Sequence, residues 1–287
     1  MLIIVDSGST KADWQIIHPD GSRELQTTIG MNPFFFSEDD VQAELRKDFV
    51  NKVAVGEARR IYFYGAGCSD AMRCAIIRRG LARIFTNAEV IEVEHDLLAS
   101  ARAACGTTAG IACIIGTGSN TCLYDGKNVI DNVTNLGYLL GDEGAGSHFG
   151  KLLIRAYFYR ELPDDIQVLF EAEFGADKRA ILNKIYGKEA PNVYLAAFAK
   201  FCSAHREHFY IQKLAAEAFG KLVERHILKY ERCHSLPIHF VGSVAFHFQD
   251  ILKVVLDEHD LTLGKIIRKP IDALVQFHLE HIDQFSA

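Results

Sequence analysis

Two short stretches of this 287-residue sequence have the residue types that could hold a polyphosphate: Asp6-Ser7-Gly8-Ser9-Thr10-Lys11 and Gly116-Thr117-Gly118-Ser119. Glycine and small hydroxyl residues let successive backbone N–H groups approach an anion, and the hydroxyls and Lys11 add further donors. Asp6 would repel a bare phosphate; it makes sense if a magnesium ion, or water on that ion, stands between them. Taken alone, the first stretch reads equally as a hairpin turn whose aspartate accepts backbone hydrogen bonds. The second stretch shifts the weight. Two such turns facing each other can hold a triphosphate from both sides, whereas two unrelated hairpins have no reason to share a composition. Neither is a P-loop, because G-x-x-x-x-G-K-[ST] occurs nowhere.

Asp96 follows the apolar stretch Val90 to Val93 and precedes Leu97-Leu98-Ala99-Ser100-Ala101, which predicts a helix N-cap. A carboxylate there is kept ionised by the helix dipole, and an ionised carboxylate is what a general base must be. Asn32, after Gly30-Met31 and before Pro33, reads as a turn residue whose amide offers both a donor and an acceptor. Gly141-Asp142-Glu143-Gly144 reads as an acidic helix start. His205 with His208, and His278 with His281, are i, i+3 pairs that lack an acidic or cysteine partner. Solvated helix faces are expected of them, and no structural zinc. Phe34-Phe35-Phe36 reads as core, or else as an apolar wall beside Asn32.

These residues need elements to position them. Leu2 to Val5, Ala12 to His18 and Arg23 to Ile29 alternate with turns and predict a strand meander. Ser37 before Glu38-Asp39-Asp40 opens a helix to about Val50. A strand at Ile61 to Tyr64, a helix from Ser69 to Phe85 and a strand at Glu89 to Val93 complete an α/β pattern. Ile111 to Ile115 and Thr121 to Tyr124, flanking the second glycine turn, repeat the opening about a hundred residues on. Helices are predicted at Phe149 to Arg160, Lys178 to Ile185, Tyr194 to Ala204 and Ile211 to Tyr230. A strand at Pro237 to Val241 ends in Gly242-Ser243, followed by a helix to Leu256, a strand near Ile266 and a last helix from Ile271 to about Phe285.

Hydrophobic residues make up 49% and charged residues 24%, which excludes disorder as the general state of the chain. A net charge of -6 gives no basic footprint, so neither nucleic acid nor an anionic membrane is expected as partner. No uncharged apolar run approaches the roughly 20 residues of a membrane span. Seven cysteines without a C-x-x-C pair, and a start without the basic region of a signal peptide, predict reduced thiols in a cytoplasmic protein.

With Phe240-Val241-Gly242-Ser243 as a third glycine element, the two loops resemble the phosphate and adenosine motifs of the actin-like sugar-kinase superfamily. Gly30-Met31-Asn32-Pro33, Glu94-His95-Asp96, Ile115-Gly116-Thr117-Gly118-Ser119 and Gly141-Asp142-Glu143-Gly144 are similar, in order and spacing, to N-acetylglucosamine kinases, the group that shares a profile with BadF/BadG-type activator ATPases. Ser7 stands where that family usually has glycine, and Ser243 where a second glycine is common. The resemblance implies two ribonuclease-H-like lobes around a central cleft, with a helical insertion at about 146–235 in the second. The first lobe would span 1–107, with the last helix (271–287) packing back on it, and the second 108–270. It further implies ATP and magnesium as cofactors, with the magnesium held by Asp6 through water. ATP phosphates would lie at Gly8, Ser9, Thr10, Lys11, Gly116, Thr117, Gly118 and Ser119, and adenosine at Gly242 and Ser243. An amino sugar would bind at Asn32, Asp96 and Asp142, with Asp96 as the base on its 6-hydroxyl, in a homodimer. N-acetylglucosamine is the first expectation, with glucosamine and N-acetylmuramic acid as alternatives. A dehydratase-activator ATPase would need cluster-ligating cysteines, for which Cys68 and Cys74 are the candidates. A non-catalytic sugar sensor would be expected to lack the base or the loops, and neither is missing.

Overall fold

Four consecutive apolar residues, Leu2 to Val5, suit a strand covered on both faces, and all four are buried in β1 (Leu2–Ser7). The computed structural model describes residues 1–8, 11–187 and 190–281. β1 pairs antiparallel with β2 (Lys11–Ile17), which pairs antiparallel with β3 (Arg23–Ile29), an edge strand of alternating exposure. The capping box of Ser37 and Asp40 starts α1 (Glu38–Lys47), and one more turn, α2 (Phe49–Lys52), follows. The chain then returns through β4 (Arg60–Gly65), α3 (Ala71–Ala82), β5 (Val90–His95) and α4 (Asp96–Cys105). β4 lies parallel to both β1 and β5, giving the sheet order β3-β2-β1-β4-β5.

The second sheet repeats the plan. β6 (Gly110–Ile115), β7 (Ser119–Tyr124) and β8 (Val129–Asp131) form the antiparallel side. Between β8 and the next strand stands a run of helices: α5 (Gly137–Leu140), α6 (Gly146–Tyr159), α7 (Asp164–Phe174), α8 (Lys178–Tyr186), α9 (Pro191–Ala204) and α10 (Phe209–Arg225). β9 (Ile238–Val241), α11 (Ser243–His247), α12 (Gln249–Asp257) and β10 (Leu263–Ile267) complete the order β10-β9-β6-β7-β8, with β6, β9 and β10 parallel. The last element, α13 (Ile271–Glu280), packs on β1, β2 and α4. Residues 282–285 of the predicted final helix lie outside the described residues. Met1–Gly106 with Pro270–Ala287 forms one compact unit, and Thr107–Lys269 the other. The fold is thus the two-lobed α/β architecture, with a helical insertion in the second unit.

Each unit has its own core. Trp14 packs on Phe49 (4.6 Å between ring centroids), Phe63 and Phe85 in the first. Phe170 and Phe174 of α7 stack with Phe198 and Phe201 of α9 in the second. All seven cysteines are buried as thiols. No described helix is long and apolar enough to cross a membrane.

The fold corrects several expectations. Phe34 and Phe35 are not core: they are 57% and 83% exposed. The Asn32 carbonyl accepts from both Phe35 N and Phe36 N, which folds the run into a turn at the surface, and the Arg73 guanidinium covers the Phe34 ring at 3.9 Å. His278 does not lie on a solvated face. It is buried against Tyr62, with its Nε2 2.7 Å from the Tyr64 hydroxyl, and burial pushes its pKa down to about 3, so the ring is neutral. The helix expected to reach Tyr230 ends at Arg225, and α7 forms where apolar spacing predicts no helix.

Helix packing in the second unit makes opposite demands on two glycines. A Cβ on Gly150 of α6 would overlap the Leu195 carbonyl oxygen of α9, whereas one on Gly220 of α10 would meet nothing. Gly150→Ala should therefore cost about 1–3 kcal/mol by overpacking. Gly220→Ala should gain about 0.5–1 kcal/mol of helix propensity. Urea midpoints moving in the same direction for the two variants would refute this packing.

Candidate functional site

The second glycine turn joins β6 to β7 and is closed by Gly116 N donating to the Gly118 carbonyl at 2.9 Å. Other elements of the same unit hold it in place. At the start of α6, Gly146 N donates to the Gly116 carbonyl (2.9 Å) and Ser147 N to the Thr117 carbonyl (3.0 Å). With its carbonyls taken by α6, the turn keeps a fixed shape. The Asp142 carboxylate accepts from Ser119 N (3.2 Å), Asn135 Nδ2 (2.9 Å) and Ser147 Oγ (3.1 Å). It sits so close to Gly118 that a Cβ there would lie 2.9 Å from Oδ1. Asp142, expected at sugar hydroxyls, also braces the second glycine turn. A carboxylate accepts about four hydrogen bonds, so one acceptor position remains beyond these three.

The third glycine element meets the same turn. Gly242 has φ of +132°, its N donates to the Ile267 carbonyl at 2.8 Å, and a Cβ would overlap the Ile115 carbonyl oxygen. No other residue fits there. A cavity of about 460 Å³ opens beside it, lined by Gly116, Thr117, Ser243 and His247, with Lys200 and Arg268. It brings a predicted phosphate turn and a predicted adenosine residue together. Lys200 of α9 and Arg268 after β10 gave no sequence signal, because each is one cation among many until the fold sets it here.

In the first unit, Gly8 N donates to the Lys11 carbonyl at 2.9 Å and closes the first turn; Ser9 and Thr10 lie outside the described residues. Lys11 Nζ pairs with Asp13 at 2.6 Å. Asp6 lies directly opposite Asp13 in the β1–β2 register, so both side chains leave the same face. Asn32 forms its predicted turn, its Oδ1 accepting from Phe34 N at 2.9 Å. Gly67 (φ +84°) approaches so closely that a Cβ would overlap the Asn32 amide. Gly67 had no signal of its own, since its need for glycine comes from a residue far away in the chain.

Asp96 is the first residue of α4, and the cap is His95, whose Nδ1 accepts from Leu98 N at 3.2 Å. This corrects the predicted N-cap. Burial pushes the Asp96 pKa up and outweighs the backbone N–H groups that favour its ionised form. The helix dipole alone does not set its charge. Six residues on, buried Arg102 donates to the Tyr64 hydroxyl (2.5 Å) and to Glu92 (2.8 Å), fixing α4 on the sheet. Burial pushes the Cys68 thiol up to about 12, with Cys74 and Asp96 adding to it, and raises Cys74 as well. Among the described residues, no three His, Cys, Asp or Glu side chains gather as a metal site.

No protein-family model matches the chain, the activator-ATPase profile included, and no curated protein matches it. Solved structures do. A Porphyromonas gingivalis protein provisionally assigned as an N-acetylglucosamine kinase is 37% identical, with 98% of this chain and 100% of that one covered at a TM-score of 0.93. A Chromobacterium violaceum protein with the same provisional assignment is 18% identical over 96% and 98% of the two chains, TM-score 0.67. The ROK hexokinase of Thermus thermophilus is 15% identical over 97% and 99%, TM-score 0.53. The last two share the fold. Identity of 37% across nearly the whole length of the Porphyromonas protein is a closer tie, and by it the chain belongs to the N-acetylglucosamine kinase-like family of sugar kinases.

Proposed function

We propose that the protein transfers the γ-phosphoryl group of ATP to the 6-hydroxyl of N-acetylglucosamine. The observation that carries this reading is the cavity where Gly116 and Thr117 meet Ser243, with Lys200 and Arg268 as cations beside it. A polyanionic nucleotide fits that lining. The sugar assignment leans on the Porphyromonas relative and on Asn32.

Phosphoryl transfer asks a protein mainly to position and to stabilise charge. Backbone N–H groups of the glycine turns other than those of Gly8, Gly116 and Ser119, which donate within the fold, hold the phosphates. Magnesium, carried in with the nucleotide, supplies neutralising charge, and the hard oxygens of Asp6 and Asp13 suit it as donors. Asn32 orients the sugar. Asp96 takes the proton of the 6-hydroxyl as its oxygen bonds to the γ-phosphorus and the bond to the departing ADP breaks, leaving sugar 6-phosphate, ADP and a proton. Its raised pKa helps, because a base works best with a pKa near the working pH.

ADP release measured against a panel of sugars tests the reading: turnover should be slow without sugar and much faster with N-acetylglucosamine. Equal release with and without every amino sugar would leave a plain ATPase. Replacing Asp96 by Asn should lower kcat by roughly 10²- to 10⁴-fold while sugar and nucleotide affinities stay within a few-fold. In the wild type, kcat should fall on acidification with a midpoint above the ordinary carboxylate range.

The same substitution should raise stability at neutral pH. The folded pKa of Asp96 lies above its unfolded value, so the stability that its proton binding contributes is present below the unfolded pKa, about 3.9, and is lost as pH rises through the folded pKa. Asp96→Asn removes that loss. Its melting temperature should exceed wild type at pH 7, with the gain vanishing near pH 3. A variant less stable than wild type at pH 7 would refute a desolvated carboxyl.

A further inference from the structure

Ser7 ends β1 and is 1% exposed. Its Oγ accepts from Met31 N at 3.0 Å, and Met31 is itself fully buried. Its carbonyl accepts from Ala66 N at 2.8 Å. One residue therefore ties three turns: its own phosphate turn, the Gly30-Met31-Asn32 turn and the Gly65-Ala66-Gly67 turn. The other two converge again on Asn32, which follows Met31 directly and has Gly67 packed on its amide. Main-chain bonds supply the link to Ala66 whatever residue stands at position 7. The link to Met31 exists only because position 7 carries a hydroxyl. Without the hydroxyl, the buried Met31 N–H would lose this acceptor.

We propose that Ser7 is a positioning residue that couples nucleotide seating to the set of Asn32, so that each ligand tightens the binding of the other through the Ser7–Met31 hydrogen bond. The inference rests on the kinase reading above. Nucleotide on the Asp6–Lys11 turn restrains the end of β1; Ser7 Oγ then holds the Met31 amide, and with it the angle at which Asn32 meets a sugar. Because coupling between two binding sites is reciprocal, sugar on Asn32 restrains the phosphate turn by the same factor. A filler serine would stabilise the fold and leave the two affinities independent.

Titration calorimetry of magnesium-ADP, with and without saturating N-acetylglucosamine, reads the coupling directly. Wild type should bind ADP about 5-fold or more tightly with sugar present. In Ser7→Ala the ratio of ADP affinities with and without sugar should fall to within about 2-fold of one, whatever the affinity in the absence of sugar. Hydrogen exchange supplies a measurement on the wild type alone: magnesium-ADP without sugar should slow exchange in the peptide spanning Gly30 to Phe36. A lowered melting temperature in Ser7→Ala with the wild-type coupling ratio would overturn the proposal. So would a Gly30–Phe36 peptide indifferent to ADP in wild type. Failure of the kinase reading looks different. ADP that does not bind wild type removes both ideas, while ADP that binds and protects Gly30 to Phe36, with no response to any amino sugar, removes the substrate and retains the link.

Discussion

A backbone that binds a polyphosphate must leave its N–H groups open to the ligand and yet be held still. The Gly116–Ser119 turn, for which we propose that role, is held largely through its carbonyls, with Gly116 N and Ser119 N also engaged within the fold. Gly116 and Thr117 accept from the first N–H groups of α6, Asp142 takes Ser119 N from beneath, and Gly242 closes on the Ile115 carbonyl. Every brace approaches at backbone distance. That is why glycines are needed at 118 and 242. The start of α6 thus has a job in the turn as well as in the helical run.

The first unit has the same strand order but a different brace. Among the described residues, no helix start is brought to its turn by backbone bonds of this kind; a side chain, Ser7 Oγ, reaches Met31 N instead. A side-chain brace depends on one atom and can be lost by one substitution. The second turn shares that exposure at Asp142, whose carboxylate holds Ser119 N, but adds two main-chain braces from α6. The two repeats therefore differ in how openly their turns are exposed to sequence change.

The turns themselves were legible in the sequence because small residues between two apolar strands form a local pattern. Their braces were not, since Ser7 and Met31 are 24 residues apart and Ser119 and Asp142 are 23 apart, and a hydrogen bond across such a span leaves no periodicity. Phe34 and Phe35 misled because composition registers apolarity and not the turn that lifts both rings to the surface. His278 misled in the opposite sense: a polar residue becomes a core residue once Tyr62 offers its face and Tyr64 its hydroxyl. The start of α7 was written in Pro163-Asp164-Asp165, and its end in Gly175, signals that a pattern of apolar spacing alone passes over.

α13 belongs with the first unit although all of the second unit is written before it. Synthesis proceeds from the N-terminus at about 5–20 residues per second, so the ribosome completes Thr107–Lys269 before the residues that cover Tyr62 and Tyr64 exist. The nascent first unit waits with one side of its sheet unfinished. The order of translation thus favours the later-encoded unit as the first to be complete, and it makes loss of the codons from Pro270 onward a lesion in the half of the protein that was translated first.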